Sequence, residues 1–445
     1  MLLLAAAIAS AGVPALADLD LGPLCRPAPE RLSGPPGNQL HRVVVRTAPD
    51  PDDPAAPFAA NALCNDGSPA EYYVRPGTGP DAANWLVYFD GGEGCYDWQT
   101  CVARWCGAGF YTRDKMTSDG SPDTVAGLGA LFPDPVRNPF ADWTHVSVPY
   151  CSSDFWTGNN PLAVVSDPRF PDLSYTLAFN GAAIADAVVA ELATGTPEHV
   201  ELGLPPMVDA ARILVTGSSA GALGLALTVD RHAAVLQSGA PDADIRAVFD
   251  SYFPPGGEVT GGGAYTGEFS PEGRAYIDAF AATSAGPAFW NSGSDASCLA
   301  AHPHDSAVCL EAQHVLMNHV HTPYFVYMDQ HDPVVCPGPC AAGVRDQVAA
   351  LARIAVDGPE REGSPEYPPD TPPGWFAPRC GVHTALATGA DGGARFVGHV
   401  LPVARDAEPP FLAYASALSN WVFDAGPSQL IRAADGPGPD CPARR

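Results

Sequence analysis

Short apolar runs recur along the chain, and each closes on small, acidic or cysteine residues. Trp85-Leu86-Val87-Tyr88-Phe89 ends at Asp90-Gly91-Gly92, and His145-Val146-Ser147-Val148-Pro149-Tyr150 ends at Cys151. Ile213-Leu214-Val215 leads into Gly217, and Ala233-Ala234-Val235-Leu236 leads into Ser238-Gly239. Pro323-Tyr324-Phe325-Val326-Tyr327-Met328 stops at Asp329. Continuous apolar runs of this length predict strands buried on both faces. Arg395-Phe396-Val397 predicts one more. Between them, residues 176–193, 220–229 and 344–355 have helical spacing. The alternation predicts an α/β protein: a doubly wound, mostly parallel sheet with helices on both faces.

The remaining stretches fill out this plan. Residues 18–60 are rich in Pro, Ala and Asp and predict an irregular leading segment. The Gly-rich run 256–264 and its surroundings predict an insertion, about 250–320, over the carboxyl edge of the sheet. Ligands bind at that edge in open α/β folds. The Pro-rich run 358–374 predicts a long surface loop. A catalytic domain over 61–425 and a tail over 426–445 follow, with no internal repeat.

Composition narrows the setting. A chain of 445 residues that is 46% hydrophobic and 16% charged can bury a large core. The apolar start and Ala15-Leu16-Ala17 predict a signal peptide over 1–17, and hence a soluble secreted or periplasmic protein. Twelve cysteines, at 25, 64, 95, 101, 106, 151, 298, 309, 336, 340, 380 and 441, predict disulfides that tie long loops. No pair has the CxxC spacing of a structural zinc site. A net charge of −27 makes nucleic acid and anionic membranes poor partners. Lys115 is the sole lysine among 23 basic residues.

Candidate chemistry centres on Gly217-Ser218-Ser219-Ala220-Gly221. It sits between the apolar run 213–215 and the Ala- and Leu-rich run 222–227. Strand, sharp turn and helix are the setting of a nucleophile elbow, with Ser219 at its tip. A serine hydroxyl needs a histidine to take its proton and a carboxylate to orient that histidine. In α/β-hydrolases these follow in the order Ser, acid, His. Asp332 is the expected acid, with Asp329 the alternative. His383, on a loop beside Cys380, is the expected base, with His399 the alternative. Gly91-Gly92-Glu93-Gly94 and the amide of Ala220 are expected to bind the oxyanion. Cysteines 95, 101 and 106 would stiffen that loop. Six histidines at 302, 304, 314, 319, 321 and 331 carry no HExxH pattern, so no metal or other cofactor is expected.

Several segments together resemble the pectin acetylesterase/Notum family of serine carboxylic-ester hydrolases. They are Phe89 to Cys95 with Cys101 and Arg104, Asn138 to Trp143, Val146 to Cys151, Phe155 to Gly158, Gly217 to Gly221, Thr322 to Asp332, and Cys380 to His383. They span about residues 60–420. The resemblance implies an α/β-hydrolase-like fold and metal-free ester hydrolysis by Ser219, Asp332 and His383. It also implies oxyanion donors at the amides of Glu93, Gly94 and Ala220. Where the family has Gly-Trp, this chain has Glu93-Gly94, so glycine at 94 is expected to leave room for the missing indole. Ser218 replaces a common cysteine, and Pro333-Val334 replaces Ser-Trp. The expected activity is removal of short acyl groups, chiefly acetyl, from carbohydrate or similar polyol esters. Deacylation of longer chains, polyester depolymerisation and a catalytically inactive carbohydrate-binding role are the alternatives.

Overall fold

The computed structural model describes residues 13–19, 25, 35–49, 58–107, 113–167, 169, 173–252, 257–260, 264–269, 271–334, 373–387, 395–396, 399–402 and 411–431. Among them, ten strands form one sheet. Its order is Gln429–Ile431, Gly374–Ala377, Tyr324–Tyr327, Asp244–Asp250, Arg212–Ser218, Trp85–Phe89, Thr144–Val148, Glu71–Arg75, Leu40–Val44 and Thr124–Val125. The first seven run parallel, and the last three join antiparallel. Phe89 pairs with Gly217, Ser218 with Asp250, and Asp250 with Tyr327. That register brings the carboxyl ends of four neighbouring strands to one level, and the chain leaving each of them lies along one edge.

The central strands feed two cores. Trp85, Val87 and Phe89 pack with the helices Gly181–Thr194 and Ala220–Ala226 on one face. Leu86, Tyr88, Leu214, Val248 and Phe325 pack with the helix Tyr414–Val422 on the other. Side chains alternate across a strand, so helices on both faces require apolar residues at every position. That is why these strands read as unbroken apolar runs. Regular structure also reaches into both flanking segments, as Leu40–Val44 and Gln429–Ile431.

Three expectations need correction. Ala233-Ala234-Val235-Leu236 is not a strand but part of the helix Val229–Gly239. Its buried positions are Val229, His232 and Leu236, a helical spacing. The strand of this region is Asp244–Asp250. Residues 176–193 begin as the strand Tyr175–Phe179, paired antiparallel with Asn160–Val165; the helix starts only at Gly181. Arg395 and Phe396 are helical, and the nearby strand is Val400–Pro402. The expected helix at 344–355 lies outside the described residues.

Between the strands Asp244–Asp250 and Tyr324–Tyr327 lie the helices Pro271–Ala282, Ala296–Ala301 and Ala312–Asn318. The last packs on Ala220–Ala226. Four disulfides join Cys25 to Cys106, Cys64 to Cys151, Cys95 to Cys101 and Cys298 to Cys309. Cys380 is disulfide-bonded as well.

Candidate active site

Ser219 stands between the strand Arg212–Ser218 and the helix Ala220–Ala226, with φ 54° and ψ −120°. A non-glycine residue in that region is strained, so its surroundings must hold it. Its amide donates to Asp250 O at 2.8 Å. Close backbone approach accounts for the glycines. A Cβ on Gly217 would lie 2.6 Å from Gly221 C, and one on Gly221 would lie 2.2 Å from Phe89 O. One on Gly91 would lie 2.4 Å from Ser218 O and 2.9 Å from Ser219 Cβ. The elbow is therefore wedged against the loop after Phe89.

His383 Nε2 lies 2.8 Å from Ser219 Oγ, and His383 Nδ1 lies 2.7 Å from Asp332 Oδ2. The Asp332 side chain is fully buried, and its Oδ1 accepts the Val334 amide at 2.9 Å. The fold thus joins three residues separated by up to 164 positions into one hydrogen-bonded chain. The alternatives do other work. Asp329 accepts the amides of Cys380 at 2.7 Å and Gly381 at 3.2 Å, so it anchors the loop carrying His383. Burial pushes its carboxyl up to about 6. His399 is buried under the sheet with Nδ1 2.8 Å from the Tyr327 hydroxyl.

Asp250 was not visible as a site residue in the sequence. Its fully buried side chain accepts Ser218 Oγ at 2.7 Å and the amides of Ala385 at 2.9 Å and Leu386 at 2.8 Å. It ties the elbow to the loop beyond His383. Burial raises its carboxyl above the ordinary range. The available signal was an aspartate closing an apolar run, as at Asp90 and Asp329, but misplacing the strand hid it.

The loop Gly91–Gly94 is braced from several sides. Lys115 bonds Asp90 and donates to Gly91 O at 3.1 Å, while Arg104 donates to Gly92 O at 2.7 Å. The disulfides at Cys95 and Cys106 hold the following helix, Trp98–Trp105. Glu93 has φ 57° and an exposed side chain. Behind the loop, Ser153, Phe155 and Trp156 all have positive φ, at 54°, 55° and 62°. Buried Asp154 holds that turn, accepting Ser152 Oγ at 2.6 Å, Trp156 N at 3.1 Å and Gly181 N at 2.7 Å. The Trp156 indole then donates to Asp90 O at 3.0 Å. This network gives the Phe155–Gly158 block its structural reason.

The room expected at Gly94 is filled. A Cβ there would meet Ser153 O at 3.0 Å and Trp290 Cζ2 at 3.1 Å. Trp290 is fully buried and donates its indole N–H to Cys95 O at 3.0 Å. An indole from the chain between the strands Asp244–Asp250 and Tyr324–Tyr327 takes the space.

Two cavities are lined by residues close in sequence to the site, Leu223 in one and Asp90 in the other. One, of about 120 Å³, is lined by Phe155, Thr157, Leu223, Leu227, Tyr276, Ile277, Phe280, Leu310 and Glu311. Leu223 is one helical turn past Ser219, its amide donating to Ser219 O at 2.9 Å. The other, of about 340 Å³, is lined by Asp90 and Lys115 together with Tyr73, Tyr88, Tyr150, Ser147, Leu131 and Ala387 among others.

A family model described as Pectinacetylesterase matches residues 55–353. The chain belongs to the pectinacetylesterase family. Its members are carboxylic-ester hydrolases of α/β-hydrolase-like fold. The palmitoleoyl-protein carboxylesterase NOTUM of Drosophila melanogaster is 37% identical over 171 residues, 38% of this chain and 22% of that protein. The Mus musculus protein of the same name is 35% identical over 195 residues, 43% of this chain and 33% of that one. The matched stretches thus span about a fifth to a third of these relatives. The structure of the Wnt deacylase Notum from Drosophila superposes with a TM-score of 0.60 at 24% identity, covering 89% of this chain and 97% of that one. That likeness concerns the fold. Among the described residues no helix is long and apolar enough to cross a membrane.

Proposed function

We propose that this protein is an exported serine esterase that removes short acyl groups, chiefly acetyl, from carbohydrate or similar polyol esters. The observation that carries the reading is the unbroken chain Ser219 Oγ, His383 Nε2, His383 Nδ1, Asp332 Oδ2, at 2.8 Å and 2.7 Å. His383 takes the hydroxyl proton as Ser219 Oγ attacks the ester carbon. Asp332 fixes the imidazole tautomer and stabilises the imidazolium. The negative oxygen of the tetrahedral intermediate is met by the amides of Glu93, Gly94 and Ala220. Ala220 opens its helix, where amides have no intrahelical acceptor. His383 returns the proton to the leaving alcohol, and an acyl-enzyme remains. Water, deprotonated by His383, then releases the acid.

Size and polarity support the choice of ester. The apolar cavity lined by Leu223, one helical turn past Ser219, measures about 120 Å³, and its small size suits a short acyl chain. The larger cavity, with its tyrosines, Asp90 and Lys115, suits a hydroxyl-rich alcohol. A net charge of −27 disfavours polyanionic carriers and favours neutral ones. A second reading, release of longer acyl chains, draws on relatives named palmitoleoyl-protein carboxylesterases.

The test is a series of p-nitrophenyl acetate, butyrate and octanoate, run on the wild type and Ser219→Ala. Highest kcat/KM on acetate, lost in the variant, is expected. Highest kcat/KM on octanoate would move the assignment to the second reading.

A further inference from the structure

We propose that His302, His314 and His319 form a binding site for a divalent transition-metal ion of the zinc class, in the segment inserted before the strand Tyr324–Tyr327. Of six histidines between 302 and 331, the fold gathers these three. His302 ends the helix Ala296–Ala301, His314 lies within Ala312–Asn318, and His319 ends that helix. The disulfide Cys298–Cys309 ties the first helix to the turn Ser306–Leu310, which leads directly into the second, so the ligands are held near one another before any ion arrives. The ligand nitrogens they offer all lie within 4.8 Å of one another.

The spacing is that of a coordination shell. Zinc–nitrogen bonds of about 2.0–2.1 Å at tetrahedral angles place ligand nitrogens about 3.3 Å apart. His302 Nε2 and His314 Nε2 are 3.2 Å apart. The third ring is oriented by its neighbours. Ser297 Oγ donates to Asp295 Oδ1 at 2.6 Å, so its 3.2 Å contact with His319 Nδ1 runs from the ring N–H to the hydroxyl oxygen. That fixes the tautomer with a lone pair on Nε2. Histidine ligands in metal sites are oriented by a hydrogen bond from the other ring N–H, and here Ser297 Oγ, itself held by Asp295, accepts it.

The donor set selects the ion. Three neutral imidazoles and no carboxylate suit zinc, copper or nickel, whereas calcium and magnesium require oxygen. Cys298 is close enough to join but is held in its disulfide. His302 and His319 are half-buried, which leaves the fourth position to water. The spacing 302, 314, 319 falls on no single helix face, so the sequence carries no such signal.

Tag-free protein is titrated with Zn²⁺ alone by calorimetry and with Co²⁺ alone by visible absorption. One saturable ion per chain is expected, with tetrahedral cobalt bands and a melting temperature that rises with Zn²⁺. His302→Gln and His319→Gln should each weaken binding at least tenfold, and Ser297→Ala about tenfold. His304→Ala and His321→Ala, both at exposed neighbouring positions, should bind as the wild type does. Ester hydrolysis without added metal should be equal in all of these variants, which separates this site from the proposed catalytic residues. Absence of saturable binding, or unchanged affinity in the His302 and His319 variants, would overturn the assignment.

Discussion

Ser218 donates its hydroxyl proton to the buried carboxyl of Asp250, 2.7 Å away, one residue before the elbow serine. The same Asp250 oxygen accepts two amides from the loop just beyond His383. One residue therefore joins the elbow to the loop of the proposed base: its carboxyl takes these three donors, and its main-chain carbonyl accepts the Ser219 amide at 2.8 Å. Asp250→Asn places one NH₂ group among these donors, and one side of the network must lose its partner. We expect kcat to fall at least tenfold with little change in KM, together with about 1–3 kcal/mol of stability. Urea unfolding and steady-state kinetics on the same preparation check both. Wild-type kcat in a correctly folded variant would show that the tie is dispensable.

Ser219→Ala should lower kcat on the order of 10⁴-fold, and His383→Ala by a similar factor, in proteins that still fold. His399→Ala should act on stability, because that ring bonds Tyr327 in the core. If His399→Ala, and not His383→Ala, abolished turnover in a folded protein, the base would be reassigned.

Glu93→Gln should leave kcat/KM within about threefold at neutral pH, under 1 kcal/mol of barrier. Its side chain is exposed, and its proposed role is through the amide. A collapse in rate would give the carboxylate itself a role.

Gly94→Trp should not reshape the acyl pocket. It should destabilise the protein, because Trp290 already fills the space. Trp290→Ala alone should cost about 3–5 kcal/mol. Combining the two should recover part of that loss, since one indole replaces the other. Melting temperatures of the four proteins give the interaction energy directly. Strict additivity would mean that the two positions do not share one space.

Asp329 gives stability a sign with pH. Its carboxyl is raised to about 6 in the fold, against about 3.9 in an unfolded chain. Below about pH 4 both states hold the proton. Between about pH 4 and 6 only the folded state keeps it, so this group's contribution is lost as pH rises. Asp329→Asn should remove that loss. The wild type should therefore drop by about 2 kcal/mol more than the variant between pH 4 and pH 7. Urea unfolding at the two pH values measures it, and a drop of opposite sign would show that the folded site favours the ionised form.

Much of this was legible in the chain. Trp85–Phe89 and Tyr324–Tyr327 read as strands because helices on both faces demand apolar residues at every position. Ser219, Asp332 and His383 were picked out by motif, chain order and family resemblance, and the fold brings the three together. Ala233–Leu236 misled because four apolar residues in a row look alike in a strand and on a helix. Only the burial of Val229, His232 and Leu236 separates the two. Trp290 could not be found at all. Its partner Gly94 is 196 positions earlier, and the pairing exists only once the chain around Trp290 packs against the loop.

The walls of the small apolar cavity come from three stretches, one of them the turn that carries Phe155 and Thr157. Leu223 belongs to the helix that follows the proposed nucleophile and Leu227 caps it, whereas Tyr276, Ile277, Phe280 and Leu310 come from the stretch before the strand Tyr324–Tyr327. If this cavity takes the acyl chain, as proposed, most of its wall is encoded apart from the proposed triad. Relatives could diversify their substrates by rewriting the insertion while the strand ends stay fixed, and an engineer seeking a longer or shorter acyl preference should randomise 271–311 first.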